Sequence, residues 1–91
     1  MKIYLVQHES NDDGQIFFFS TPCASMEIAQ RTKNEIVKSI IEHHPKFKDL
    51  DIENPSDEYE VDIEENSINI NLPYDDYYEF IYIEVADLKE S

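Results

Sequence analysis

One glycine, one cysteine and no tryptophan stand among the 91 residues of this chain. A single glycine, Gly14, cannot build a phosphate-cradling loop, which excludes nucleotide chemistry of the P-loop and dinucleotide kinds. A single cysteine, Cys23, forms no internal disulfide and no cysteine-based zinc cluster. No apolar run approaches the ~20 residues needed to span a bilayer. The opening "MKIYLVQHES" holds too short an apolar stretch for a signal peptide. These absences lead us to expect a soluble cytoplasmic protein. The length and the lack of low-complexity linkers give one domain over residues 1–91, with one modest core.

Basic residues are scarce as well: 7 Lys and Arg stand against 21 Asp and Glu, for a net charge of −14. Residues 1–48 hold six acids (Glu9, Asp12, Asp13, Glu27, Glu35, Glu42) and six bases, and are neutral overall. The other fifteen acids follow, with Lys89 as the only base, so the whole imbalance lies in the second half. Such a field repels nucleic acid and anionic membranes and attracts basic surfaces. No direct nucleic-acid or membrane binding is therefore expected.

What is present is regular patterning. "KIYLVQH" reads as a strand, "ESNDDG" as a turn ending in Asp-Gly, and "QIFFFS" as a second strand. Both strands are apolar on both faces, so the 1–20 hairpin should be covered on two sides, as in a homodimer formed through it. A helix is expected within "STPCASMEIAQRTKNEIVKSIIEHHP", with Thr21 as N-cap, Pro22 at the first helical position and Pro45 as the stop. Its periodicity puts Ile28, Ala29, Thr32, Ile36 and Ile40 on one face, and Glu27, Arg31, Asn34, Lys38 and Glu42 on the other. Phe47, Leu50 and Ile52 should pin the connection that follows. Three further strands are read in "DEYEVDIEE", "SININ" and "YYEFIYIEV", joined by tight turns at Glu65-Asn66 and "PYDD". The order β-β-α-β-β-β with short links gives an α+β fold of two layers, one helix packed on an antiparallel sheet of about five strands.

Catalytic and metal signals are weak. His43 and His44 are adjacent on a helix and point ~100° apart, a poor geometry for one metal. A favourable interaction with the helix C-terminus is the simpler role. His8 sits beside Glu9 with no identifiable partner. Cys23, placed in the first helical turn, lacks the His frame of a thiol enzyme and reads as a small inert side chain. "DLDIENPSDEYE" alternates acids like a calcium loop but lacks its glycine and spacing. No enzyme activity, cofactor or metal is expected.

The acidic strand is more informative. In residues 57 to 65, Tyr59, Val61 and Ile63 alternate with Glu58, Glu60, Asp62 and Glu64, so one face should be buried and the other should carry four carboxylates. Side chains on one strand face recur every ~6.7 Å, and a nucleic-acid strand carries one charge per ~3.4 Å of axial rise. A carboxylate row can therefore imitate phosphates. Glu65, Asp75, Asp76 and Glu79 should extend it, and Tyr74, Tyr77 and Tyr78 should add rigid contact area. The plainer reading is a solvated edge that blocks sheet-to-sheet aggregation. Charge concentration, register and neighbouring tyrosines together favour a binding surface for a basic nucleic-acid-binding protein or ribonucleoprotein complex.

In length, acidity and layout, carried by "DEYEVDIEENSININLPYDDYYE", the chain resembles small phage-type inhibitors of the DNA-mimic and anti-CRISPR class. The resemblance rests on no sequence motif and implies no residue-by-residue assignment. It implies a non-enzymatic inhibitor that occupies a basic nucleic-acid channel. The alternatives are an immunity or antitoxin-like inhibitor of a basic nuclease toxin, which a neighbouring toxin gene would support, and an acidic structural or adaptor subunit dimerising through the hairpin, which a monomer in solution would weaken.

Overall fold

The computed structural model describes residues 1–47 and 50–87. Five antiparallel strands and one helix follow in the order β-β-α-β-β-β: β1 (Lys2–Asp12), β2 (Gln15–Cys23), α1 (Met26–His43), β3 (Glu60–Ile63), β4 (Ser67–Leu72) and β5 (Tyr77–Asp87). The sheet order is β2-β1-β5-β4-β3. Strands β1 and β5, eleven residues each, form the centre; β2 and β3 are the edges.

Asp13 and Gly14 have positive φ of 51° and 89° and join β1 to β2 in a two-residue turn. Two consecutive left-handed residues define the turn whose twist matches a hairpin, and Asp-Gly suits it. Strand β2 then runs past Ser20 to Cys23, because Thr21, Pro22 and Cys23 pair with Val6, Leu5 and Tyr4. Thr21 is therefore not a cap, Pro22 opens no helix, and Cys23 is a buried strand residue rather than a first-turn one. Pro22 is tolerated because β2 is an edge, where a missing N–H leaves no partner strand unbonded. Ser25 caps the helix in extended conformation, its side chain accepting from the Ile28 N–H at 3.2 Å.

Helix α1 lies against β1, β2 and β5. Ala29, Lys33 and Val37 are its buried residues, with Ile36, Ile40 and Ile41 half-buried, while Ile28 is exposed. The buried stripe is thus rotated from the expected one, and Lys33 lies in it, its pKa lowered by burial. On the wet face, Arg31 pairs with Glu27 at 3.6 Å and Lys38 with Glu42 at 3.9 Å. The His44 N–H donates to the Ile40 carbonyl at 2.9 Å, closing the last turn.

A 3-10 turn, Pro45–Phe47, drives Phe47 into the core with no exposure. Its ring meets Tyr77 edge-on at 5.4 Å and Tyr59 at 6.3 Å. Leu50 and Ile52 pack beside it, as their apolar character requires. Val6, Ile68, Ile70, Leu72 and Ile81 complete the core on the sheet face that meets the helix. No described residue forms a layer on the opposite face.

Candidate protein-binding surface

Alternation and register place the functional candidates. Odd-numbered residues of β5 and even-numbered residues of β4 face the helix layer, so their neighbours face outward. Cross-strand pairing then builds rows across the open face. Glu60 lies opposite Asn71, and Asn71 opposite Tyr78; Asp62 lies opposite Asn69, and Asn69 opposite Phe80; Ser67 lies opposite Tyr82. A column of carboxylates, a column of small polar side chains and a column of aromatics thus stand side by side.

Glu58, Glu60, Asp62, Glu64 and Glu65 are all exposed. Only Glu60 and Asp62 are held in strand register, because β3 is four residues long rather than the nine of "DEYEVDIEE". Glu58 lies in the turn before it, and Glu64 and Glu65 in the turn after, where the Glu64 N–H donates to the Ser67 carbonyl at 2.9 Å. On the other side of the strand, Tyr59 and Val61 are half-buried as expected, but Ile63 is 58% exposed. The core ends before it reaches the tip of the edge strand.

Tyr74 is 88% exposed and lies near Glu58 and Asp75 at the β4–β5 turn. Asp75 and Asp76 are exposed there too, and the Asp13 N–H donates to the Asp76 carbonyl at 3.1 Å, which brings the two acidic turns together. Asp12 and Asp13 thereby join the acidic end, although the first half of the chain is neutral overall. Lys46 pairs with Asp12 at 3.8 Å. Among the described residues no cation pairs with Glu58, Glu60, Asp62, Glu64, Glu65, Asp75 or Asp76.

Two expected contact residues turn inward. Tyr77 is 2% exposed and Glu79 4%, both on the helix side, so neither belongs to the outer surface. Their alternation with Tyr78 in β5 requires this once Phe47 fixes Tyr77 in the core. The Glu79 carboxylate accepts from Ser10 Oγ at 2.7 Å, from the Tyr77 hydroxyl and from His8 Nε2. Burial pushes its pKa up, but hydrogen bonds from His8, Tyr77 and Ser10 outweigh burial and leave it below the usual carboxylate value. Burial, reinforced by the bond to Glu79, holds the Tyr77 phenol far above its ordinary range. His8 thus has a partner that sequence distance hid: the two residues are 71 positions apart. The group is saturated by its own hydrogen bonds and ties β1 to β5.

Tyr78, by contrast, is half-buried on the open face and donates to Glu9 at 2.6 Å, a bond that raises its phenol pKa. Phe80 and Tyr82 follow it along the strand with ring centroids 4.8 Å apart. Glu60, Asp62, Asn69 and Asn71, with Val61, line a shallow groove of about 330 Å³. In that groove's lining, Asn69 Oδ1 is buried without a hydrogen-bond partner. The amide column and the Phe80–Tyr82 pair were missed from sequence, although the alternation of Asn69 and Asn71 with Ile68, Ile70 and Leu72 already placed the amides on the wet side.

No family model, curated protein or solved structure matches this chain. No described helix is long and apolar enough to cross a membrane.

Proposed function

We propose that this chain is a non-enzymatic inhibitor that occupies the basic nucleic-acid channel of a nucleic-acid-binding protein or ribonucleoprotein complex, in the manner of DNA-mimic and anti-CRISPR proteins. One observation carries the reading: the exposed carboxylates of the β3 edge have no cation partner among the described residues, and Glu60 and Asp62 share a face with amides and aromatic rings. Arginine forks in such a channel bind carboxylates bidentately, as they bind phosphate. Their flat faces stack on aromatic rings, here Tyr78 and Phe80. The groove lined by Glu60, Asp62, Asn69 and Asn71 offers an arginine side chain two carboxylates beside a polar floor. Long-range attraction by the net charge of −14 accelerates encounter with a basic surface. Cytoplasmic action and a homodimer through the 1–20 hairpin belong to the same reading.

The test is a titration of the captured partner with the wild type and with a variant carrying Glu58→Gln, Glu60→Gln, Asp62→Asn and Glu64→Gln. Exposed pairs contribute about 0.2–1 kcal/mol each, so four together account for ~2 kcal/mol, or about 30-fold in affinity. Competing DNA or RNA should displace the wild type. Unchanged affinity of the variant, with no displacement by nucleic acid, contradicts the proposal.

A further inference from the structure

The other sheet edge is the opposite of β3 in chemistry. From Gln15 to Cys23, β2 carries no charged residue in a molecule of net charge −14. Ile16, Phe17, Phe18 and Phe19 are 63%, 49%, 54% and 56% exposed, two on each face of the strand. The hairpin's two faces, which the sequence leads one to expect covered, are exposed along β2 from Gln15 to Pro22 within one chain. Long apolar edges of this kind invite strand addition, which proteins otherwise block with charge. Strand β3 is short and flanked by acids; β2 has no such guard.

The backbone fixes what can be added. In a two-residue hairpin the residues flanking the turn, Asp12 and Gln15, form a hydrogen-bonded pair, and the bonding alternates along the strands. The free edge of β2 therefore presents the N–H and C=O of Ile16, Phe18 and Ser20. Pro22 comes next on that side and has no N–H, so it ends the exposed ladder. A strand that reads the same from either end, Phe17-Phe18-Phe19, is self-complementary about its centre.

We propose that two copies of the chain associate through antiparallel β2–β2 pairing on a two-fold axis at Phe18, forming a continuous ten-stranded sheet. Phe18 faces the second copy's Phe18, and Ile16 faces its Ser20, which satisfies every free donor of the segment. Phe17 packs against the second copy's Phe19 on the helix side. Half-exposed side chains of this size present on the order of 100 Å² each, so the four apolar side chains offer up to ~800 Å² over two copies. Backbone and flanking residues bring this to the ~1,000 Å² at which specific interfaces begin. A second copy fits this edge better than a basic partner, which is drawn to β3. Both acidic edges then lie outermost, about 40 Å apart across nine inter-strand gaps, where the two copies' like charges repel each other least.

Sedimentation equilibrium of the wild type should show a dimer that tightens as salt screens the repulsion between copies. Phe18→Lys should shift the chain to monomer by at least 100-fold in dissociation constant, with an unchanged far-UV circular dichroism spectrum, since Phe18 lies outside the core. In a Cys23→Ala background, Phe18→Cys should cross-link to a covalent dimer under mild oxidation, because hydrogen-bonded partners lie ~5.5 Å apart. Ile16→Cys should not, being displaced four residues from its own copy. A wild type that stays monomeric at ~0.5 mM, a dimer indifferent to Phe18→Lys, or equal cross-linking at positions 16 and 18 would overturn the proposal. Partner capture through β3 is read separately, since Phe18→Lys leaves that edge intact.

Discussion

Glu79 is an acid that the sequence presents as one more member of a charged surface and that the fold makes its best-bonded buried polar group. Three donors from His8, Ser10 and Tyr77 converge on it. Replacing Glu79 by Gln removes an acceptor site and the charge, and leaves donors unsatisfied in the interior, at a cost of about 2 kcal/mol. Urea denaturation at neutral pH should show that loss. The pH dependence follows from the depressed pKa. Because the folded value lies below the unfolded one, the carboxylate's contribution is fully present above its ordinary 4.5 and is lost as pH falls through the folded value. The stability gap between wild type and Glu79→Gln should therefore narrow below pH 4.5. A gap that stayed constant to pH 2 would show that Glu79 does not act through its charge. Tyr77 was misplaced from sequence for the same reason as Glu79: a strand with aromatics at both parities does not declare which side is the core until Phe47 arrives from a distant turn.

At the scale of elements, the two edges of the sheet differ because their sequences differ. Strand β3 was legible as an acidic strand, but its length was not: the apolar positions stop packing at Ile63, and only four residues pair with β4. The helix starts at Met26, later than Thr21-Pro22 suggests in sequence. Thr21–Cys23 pair with β1, and the Ser25 side chain caps the helix instead. Ser25→Ala should lower stability by about 1 kcal/mol, measurable as a shift in urea midpoint, whereas Thr21→Ala should cost far less through any capping effect. An equal or larger loss at Thr21 would contradict this assignment. The apolar hairpin was legible as a surface in search of cover; that β2 would be the edge was not, because sheet order depends on β5 inserting between β1 and β4.

For the whole molecule, the charge imbalance of the sequence reappears mainly at the β3 edge, with Asp12 and Asp13 of the first half added at the β4–β5 turn. The neutral first half supplies β1, β2 and the helix; the acidic second half supplies β3, β4 and β5 of a body 49 × 27 × 20 Å in extent, with the exposed Glu58, Glu60, Asp62, Glu64 and Glu65 in and around β3. The fold class and element order were readable from hydrophobic periodicity and turn residues. The open face was not, since the amide and aromatic columns come from strands joined only by sheet register. Salt should act in opposite directions on the two proposed contacts: it weakens capture of a basic partner through exposed carboxylates and strengthens self-association through the uncharged β2 edge. Affinity for the partner that held constant between ~50 mM and ~500 mM salt would count against an electrostatic contact.

The most direct test of the acidic-edge account is capture from a lysate of the cells in which the chain acts, with immobilised wild type beside the variant Glu58→Gln, Glu60→Gln, Asp62→Asn, Glu64→Gln, each with and without competing oligonucleotide. Wild type should retain a basic nucleic-acid-binding protein or complex, and both the substitutions and the competitor should release it. Retention of the same partner through both would mean that the carboxylates are only a solvated edge.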